Sequence, residues 1–354
     1  MKVVIAPDSF KGSISNFDAA QAIAEGWISI RSGDEVVLAP MADGGEGTLE
    51  TIAASQPDAV RVATSLSHRP IWLLLADGTA VVELANICGI TLFKELKPMH
   101  SSTYDLGVAL KEIAQDPRVE RVVITVGGSA STDGGAGLLV GLGALLLDKD
   151  KRPIPLGGGG LLELETIELS TLVAAPRGGV TCLVDVTNPL LGSEGSAAVF
   201  GPQKGASPSH VVQLEQGLRN LQRVANLPDF PGAGAAGGTP YGLSVAWDIT
   251  LSSGALAVAT MIGLGDAIAN CNLVITGEGR LDSQSNSGKV VGTVAEIAQH
   301  HQKPIKYCVG SSESSLGEYG VALMDLAPSL DEAMQNTYRW LVEAGKSLAL
   351  QQTN

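Results

Sequence analysis

The stretch Leu273–Lys289, LVITGEGRLDSQSNSGK, decides the fold, because a strand, a polar turn and the start of a helix follow one another within it. The β-branched run Leu273–Thr276 is typical of a buried parallel strand. The segment Gly277–Asp282 then places an acid, a base and a second acid on a flexible turn, and the carboxyl ends of parallel strands are where ligands bind. A helix is predicted over 290–301, and its first N–H groups would suit an anion. Alternatively, the turn is only a solvated loop with ordinary charges. Four other loops that also follow predicted strands and carry polar residues weigh against this interpretation.

Length and composition indicate a globular protein of two domains, because 354 residues exceed one typical core. The 43 glycines stand well above the usual share of roughly 7% and cluster beside Asp, Ser and Thr. This clustering predicts a site built from loops. A net charge of −14 excludes nucleic acid, whose binding needs a basic field. An anionic substrate would therefore need local cations, and the candidates are Lys11, Lys204, Arg280 and Lys289.

Cysteine spacing and apolar runs predict a cytoplasmic protein that has no membrane segment. The four cysteines lack CxxC or zinc spacing and are typical of reduced, buried thiols. The apolar start at Met1–Ala6 is too short for a signal peptide. The longest apolar run, over 134–147, is shorter than the roughly 20 residues that a bilayer span needs.

Alternation of strands and helices predicts an α/β fold with a doubly wound parallel sheet. Six strands of parallel type are expected near residues 3, 36, 122, 273, 305 and 322. Shorter strands over 61–64, 71–75 and 79–84 are separated by tight turns, which predicts antiparallel pairing in a second, mixed sheet. Helices are expected over 16–30, 104–115, 138–147, 208–225 and 251–268.

The pattern Asp-Gly-Gly-x-Gly occurs twice, each time between a predicted strand and a predicted helix. The two copies begin with Asp43-Gly44-Gly45 and with Asp133-Gly134-Gly135, and Gly127-Gly128-Ser129 precedes the second. Consecutive glycines let backbone N–H groups converge, and the helix start adds partial positive charge. Two phosphate-binding loops are therefore predicted; the alternative is that the glycines only allow tight turns.

Asp185 ends a predicted strand, and Asn188 follows three residues later. Carboxylate and amide oxygens of this kind form a candidate ligand pair for Mg²⁺. An Asx-turn without metal explains the same residues equally well.

Motifs of several other enzyme classes are missing from the sequence. There is no GxxxxGK followed by Ser or Thr and no GxSxG, and the GxGxxG spacing at 232–237 follows a Pro-containing loop, not a strand. The five histidines show no metal or nucleophile spacing. Carboxylates, lysines and glycine-rich loops remain, and phosphoryl transfer needs this combination.

Six motifs together resemble the bacterial glycerate kinase family, type I, nearly from end to end. They are APDSFKGSIS (6–15), PMADGGEGT (40–48), VGGSASTDGGAG (126–137), DVTNPLLG (185–192), VFGPQKGA (199–206) and LVITGEGRLDSQS (273–285). The resemblance implies phosphorylation of D-glycerate with ATP and Mg²⁺. It also implies two α/β domains, one of them Rossmann-like, with the active site in the cleft between them.

Combining the strands with the resemblance gives two discontinuous domains. The Rossmann-like domain is expected over 1–60, 101–134 and 266–354, and the second α/β domain over 61–100 and 135–265.

Three places depart from the family pattern. Ser131-Thr132 stands where Thr-Asn is usual, and Asp105 stands where a glycine is usual. The segment 239–259 contains Pro240-Tyr241 and Trp247-Asp248 in place of a smoother Gly/Ala/Leu-rich helix start. If this last segment shapes the acceptor pocket, the substrate preference would change.

Loop position suggests a role for each candidate residue in direct in-line transfer. Asp282 is the first choice for the base that orients the acceptor hydroxyl, and Asp185 is the second. Lys11 and Lys289 are expected on phosphates or on the substrate carboxylate. The expected substrate-binding residues are Ser9, Asn188, Lys204 and Arg280, with Arg280 able to hold a carboxylate bidentately.

Several alternatives stay open at this stage. 2-Phosphoglycerate is the favoured product over 3-phosphoglycerate. The protein could instead be a non-catalytic homologue that binds a ligand, or a kinase of another small hydroxy acid. The sequence leaves open whether it is a monomer or a homodimer.

Overall fold

The structure is a computed structural model that describes residues 1–281 and 289–352. The strands are β1 (Lys2–Pro7), β2 (Glu35–Leu38), β3 (Val60–Ala63), β4 (Ile71–Leu74), β5 (Thr79–Glu83), β6 (Arg121–Thr125), β7 (Leu145–Leu147), β8 (Thr166–Glu168), β9 (Val180–Leu183), β10 (Ile249–Ser252), β11 (Leu273–Gly277), β12 (Arg280–Leu281), β13 (Ile305–Val309), β14 (Ser311–Ser312) and β15 (Gly320–Ala322). The helices are α1 (Asn16–Ile30), α2 (Thr48–Ser55), α3 (Ala85–Cys88), α4 (Tyr104–Gln115), α5 (Ala136–Leu142), α6 (Ser196–Phe200), α7 (Pro208–Ala225), α8 (Thr239–Ala246), α9 (Gly254–Met261), α10 (Leu264–Ala269), α11 (Val290–His300), α12 (Leu330–Gln335) and α13 (Thr337–Leu350).

The chain divides into two compact units. Unit 1 contains Met1–Asp43, Glu50–Ser55 and the described part of Ser253–Asn354. Unit 2 contains Gly44–Leu49 and Gln56–Ser252. The Asp-Gly-Gly loop at Asp43 thus begins in unit 1 and continues in unit 2.

Unit 1 is built on a parallel sheet in the order β15-β13-β11-β1-β2. The central strands β1 and β11 are almost wholly apolar and buried, as expected of a sheet covered on both faces. Helices α1 and α13 pack closely because Gly26 and Gly345 lack side chains: a Cβ on Gly26 would lie 2.0 Å from the carbonyl oxygen of Val342. The core here includes Ile5, Trp27 and Ile275.

Unit 2 is built on a mixed sheet in the order β10-β9-β6-β5-β4-β3. Strands β3, β4 and β5 pair antiparallel, which confirms the prediction from their tight turns. Strand β6, the one expected near residue 122, pairs in parallel with β5 and β9. It therefore belongs to this sheet and not to the Rossmann-like sheet, and the structure places residues 101–134 in unit 2.

Two predicted helices, over 16–30 and 104–115, are confirmed residue for residue, and a third, predicted from 208 to about 225, is confirmed as Pro208–Ala225. Two others are interrupted by glycines in the left-handed conformation, which end helices. Gly143 (φ 110°) ends α5, and the apolar residues after it form β7, which pairs antiparallel with β8. Gly263 (φ 70°) separates α9 from α10, and the beginning of that predicted helix is strand β10.

The cysteines are buried and free, as predicted. Within residues 1–281 and 289–352, no helix combines the length and the apolar character needed to cross a bilayer.

Candidate functional site

In unit 1, the loops after β1 and β11 lie against each other at the carboxyl end of the sheet. The N–H of Asp8 donates to the carbonyl of Gly277 at 2.8 Å. A Cβ on Gly279 would lie 3.6 Å from the backbone nitrogen of Lys11. The described residues that directly follow these two strands, up to Lys11 and Gly279, are therefore brought together, as the topology of parallel strands requires.

The predicted cations of unit 1 differ in how they are engaged. Lys11 is exposed in the turn after Phe10, and Lys289 is half-buried directly before α11. Among the described residues, neither lysine forms an ion pair. Arg280 is exposed and pairs with the carboxylate of Glu313 at 3.1 Å. Such an exposed pair contributes at most about 1 kcal/mol, so exchanging Glu313 for a substrate carboxylate costs little.

Asp8 is a residue that the sequence reasoning missed as a candidate. Its Oδ1 accepts the N–H of Ser9, another predicted site residue, at 2.6 Å. Burial, reinforced by the nearby carboxylates of Asp43 and Glu278, raises the pKa of Asp8 to about 7. The signal was present in the sequence, since Asp8 directly follows an apolar strand. Asp282, the first choice for the base, lies outside the described residues.

Side-chain hydrogen bonds fix the segment that leads to Asp43. The Nδ2 of Asn16 donates to the carbonyl of Met41 at 2.6 Å and to Oγ1 of Thr51 at 2.7 Å. The N–H of Met41 donates to the carbonyl of Pro7 at 2.9 Å. Asp43 itself is exposed.

In unit 2, the two glycine-rich loops touch through their backbones. The N–H of Gly127 donates to the carbonyl of Gly44 at 3.3 Å, and a Cβ on Gly127 would lie 2.7 Å from the Cα of Gly45. Gly44 and Gly128 have φ of 91° and 74°, a region that favours glycine. The structure thus joins the residues at 44–45 and 127–129 into one glycine-lined surface.

Both helix starts behind these loops already hold a carboxylate of the chain. The buried carboxylate of Asp133 accepts hydrogen bonds from the N–H and Oγ1 of Thr103, at 2.8 and 2.9 Å, and from the N–H groups of Gly135 and Gly137, both at 3.2 Å. The carboxylate of Glu83, only 1% exposed, accepts the N–H groups at the start of α2. A bound phosphate would therefore be held by groups other than these helix starts.

Gly134 and Gly135 are buried and serve close packing. A Cβ on Gly134 would lie 2.4 Å from a methyl group of Leu221, and one on Gly135 would lie 2.7 Å from the Cα of Gly242. Their positive φ angles of 63° and 76° add to the need for glycine. From the sequence, these glycines were interpreted either as part of a phosphate-binding loop or as residues that only permit a tight turn. The packing and the φ angles at Gly134 and Gly135 favour the second interpretation.

Lys204 lies beneath the second loop and is only 2% exposed. Its Nζ donates to Oγ of Ser129 at 2.7 Å and to the carbonyl of Ser131 at 2.5 Å. Burial lowers the pKa of Lys204 to about 7, and the nearby carboxylate of Asp133 limits the fall. Lys204, which was expected to bind the substrate, thus forms its hydrogen bonds inside unit 2.

The candidate metal ligands lie on the loop after β9. Asp185 is exposed, and Asn188 donates its Nδ2 to the carbonyl of Glu194 at 2.8 Å, which leaves its amide oxygen as a possible ligand. Within the described ranges, no group of three or more His, Cys, Asp or Glu residues could hold a metal ion. The carboxylate of Asp185 and the amide oxygen of Asn188 are of the chemical type that Mg²⁺ prefers, and this ion commonly uses one or two protein oxygens.

Two aromatic residues of the segment that departs from the family pattern belong to the core of unit 2. Tyr241 is fully buried and donates its hydroxyl to the carbonyl of Leu227 at 2.7 Å. Trp247 is 6% exposed and donates its Nε1 to the carbonyl of Val173 at 2.9 Å. Packing within unit 2 accounts for these two aromatic residues.

Comparison with known proteins gives a consistent result over the whole chain. The model of the glycerate kinase family matches residues 3–352. The glycerate 2-kinase of Escherichia coli K12 is 38% identical over 371 aligned residues, which cover 99% of this chain and 97% of the relative. The glycerate kinase of Bacillus subtilis 168 is 35% identical, with coverage of 99% and 97%. A crystal structure described as a glycerate kinase 2 from Salmonella typhimurium LT2 superposes with a TM-score of 0.79 at 34% identity, and the match covers 99% of this chain and 97% of that one.

Proposed function

The chain belongs to the glycerate kinase family, and we propose that it transfers the γ-phosphoryl group of ATP to D-glycerate. The observation that carries this proposal is the similarity to a glycerate 2-kinase over 99% of the chain. The same relative supports 2-phosphoglycerate as the product. The non-catalytic alternative would not need Lys11 after β1 or Arg280 and Lys289 after β11.

The loops of unit 2 supply the proposed phosphate-binding surface. The backbones at Gly44–Gly45 and at Gly127 are in contact, which brings the two glycine-rich loops together, and N–H groups of such loops commonly bind anions. Asp43 lies at the entrance to the first loop. Asp133, Gly134 and Gly135 support the second loop from inside and do not themselves bind phosphate.

Mg²⁺ would be held by Asp185 and Asn188. When bound, the ion would supply positive charge that offsets the negative charge developing during transfer. With two oxygen ligands from the chain, the ion keeps room for phosphate oxygens and water.

Unit 1 supplies the proposed cations and the proposed base. Lys11 and Lys289 bind phosphate oxygens or the substrate carboxylate, since neither is committed to an ion pair within the described residues. Arg280 exchanges Glu313 for the carboxylate of glycerate, and Ser9 lies on the same loop as Lys11. Asp282 orients the acceptor hydroxyl and accepts its proton.

Lys204 has a different role from the one that the sequence suggested. Its ammonium would have to leave Ser129 and Ser131 and reach solvent to bind a substrate. Its proposed role is therefore to hold the second glycine loop in shape.

The test is an assay of the purified protein with ATP, Mg²⁺ and D-glycerate. ADP release is followed, and phosphorus NMR separates the two phosphoglycerate isomers. We expect ADP release that depends on glycerate, together with 2-phosphoglycerate. A 3-phosphoglycerate signal would overturn the regiochemistry. Absence of turnover by folded protein that binds ATP would overturn D-glycerate as the acceptor and favour another hydroxy acid.

A further inference from the structure

Glu83 is a buried carboxylate at the end of β5 that holds the first glycine loop from below. One of its oxygens accepts the N–H of Gly47 at 3.1 Å, and the other accepts the N–H of Leu49 at 2.8 Å. With 1% of its surface exposed, Glu83 makes these contacts away from water. Charge-assisted hydrogen bonds of this kind are roughly twice as strong as neutral ones.

The position of Glu83 is itself fixed by the sheet. Strand β5 pairs in parallel with β6, and Glu83 lies opposite Thr125, two residues before Gly127. The strand whose end carries Glu83 is therefore the neighbour of the strand that leads into the second glycine loop. One short stretch of the sheet consequently sets the position of both loops.

Other hydrogen bonds also act on the first loop inside unit 2. The N–H and Oγ1 of Thr48 donate to the carbonyl of Gly45, at 3.3 and 2.8 Å, and close a turn. Gly44 and Gly47 have φ of 91° and 87° and allow many backbone conformations. The two bonds to Glu83 hold the backbone at Gly47 and Leu49.

We propose that Glu83 is a positioning residue for phosphate binding, because it holds the loop Gly44–Leu49 in the shape that receives the nucleotide. The inference rests on the proposed function for the nature of the ligand. Glu83 would act from beneath the loop, since its two oxygens already accept the N–H groups of Gly47 and Leu49 at the start of α2.

The first test compares Glu83→Gln with Asp148→Asn as a matched control. The carboxylate of Asp148, also buried and also in unit 2, accepts the N–H groups of Asp150 and Arg152 at 2.8 and 2.9 Å. In Glu83→Gln the new NH₂ group must face one of the two backbone donors, whereas in Asp148→Asn it can face the exposed side chain of Arg152, because both backbone donors reach the same oxygen. Binding of ATP with Mg²⁺ is measured by calorimetry, and amide hydrogen exchange is followed over residues 44–50.

For Glu83→Gln we expect ATP binding more than tenfold weaker and faster exchange over 44–50, whereas Asp148→Asn binds ATP within twofold of the wild type. Glu83→Asp, which keeps the charge but shortens the side chain, should fold and bind more weakly than the wild type. It serves as the test if Glu83→Gln does not fold, and a loss of more than threefold then supports the proposal.

One outcome would show that Glu83 only stabilises the fold. In that outcome, amide hydrogen exchange over 44–50 is faster but ATP affinity falls by less than threefold. Equal losses in the Asp148 control would also overturn the proposal. Because ATP binding is measured without turnover, failure of the wild type to phosphorylate glycerate would count against the proposed function alone.

Discussion

Gly127 and Gly45 are in direct backbone contact, since a Cβ on Gly127 would lie 2.7 Å from the Cα of Gly45. Gly127→Ala should therefore push the two glycine loops apart. We expect a loss of about 1–3 kcal/mol in the free energy of unfolding, as in other overpacked sites, and a rise in the KM for ATP. Denaturant unfolding and steady-state kinetics measure the two effects. Gly265→Ala, in a helix with open space around it, should be neutral or slightly stabilising.

Lys204→Met should impair catalysis, because it removes the hydrogen bonds to Ser129 and Ser131. The matched control is Lys306→Met: Lys306 is also buried, and its Nζ donates to the carbonyl of Glu318 at 2.8 Å in unit 1. Both variants should lose stability. Only Lys204→Met should lower kcat/KM by tenfold or more, and equal kinetic effects would contradict the role assigned to Lys204.

The buried ammonium of Lys204 also predicts a dependence of stability on pH. Its pKa is about 7 in the folded protein, below the ordinary value of 10.5, so between these values the unfolded chain holds a proton that the folded chain has lost. Stability should therefore rise with pH across this window, by at most about 1.4 kcal/mol per pH unit. Lys204→Met should lack this contribution when unfolding is measured from pH 7 to pH 10.

Asp8 should give the opposite dependence at lower pH. Its pKa is raised to about 7 by burial and by Asp43 and Glu278, so the folded chain holds a proton that the unfolded chain loses above about pH 4. Stability falls as pH rises through this window, and Asp8→Asn should remove the loss. We expect the variant to be more stable than the wild type at pH 8, by a few kcal/mol at most, and similar to it at pH 4.

Asp77→Asn provides a control of opposite sign for the Asp8 experiment. The hydrogen bond from Thr79 lowers the pKa of Asp77, so this substitution should not stabilise the protein at any pH. If Asp8→Asn and Asp77→Asn show the same pH profile, the environment assigned to Asp8 is incorrect.

Asp133→Asn should destabilise unit 2. The amide offers one acceptor oxygen where the carboxylate offers two, so a donor from Thr103 or Gly135 loses its partner. A cost of about 1–3 kcal/mol is expected in denaturant unfolding. Asp150→Asn, which removes only a surface pair with Arg152, should cost less than about 1 kcal/mol.

Asp282→Asn should lower kcat by orders of magnitude while the protein remains folded, if Asp282 accepts the hydroxyl proton. Circular dichroism checks the fold, and turnover with glycerate checks the role. Near-normal kcat would remove Asp282 from the chemistry and turn attention to Asp8, whose raised pKa suits a proton acceptor.

The sequence predicted the elements better than their assembly. Apolar periodicity located α1, α4 and α7 without error, because each has one buried face and clear ends. It could not assign β6 to a sheet, since a buried parallel strand looks the same in either unit. The left-handed conformation of glycines such as Gly143 could not be predicted either, because the φ angle is set by the surrounding packing.

The candidate site was predictable as a set of loops but not as a set of contacts. Glycine-rich turns after strands identified the loops at 43–47 and 127–135. Whether a charged residue faces a ligand or the interior depends on packing, and this separates Lys11, which is exposed, from Lys204, which is buried. Glu83 was missed because the sequence around an acid at the end of an apolar strand does not indicate which backbone N–H groups will donate hydrogen bonds to it.

The pairing of β1 with β11 joins residues about 270 positions apart, such as Val3 and Leu273. During synthesis on the ribosome, the first strand must therefore wait until nearly the whole chain has emerged before its central neighbour exists. Unit 2, which is complete at Ser252, can fold earlier. Nascent chains released before residue 273 should consequently carry an apolar β1 that can pair with β2 but whose other edge is open, and this edge is what chaperones would need to shield.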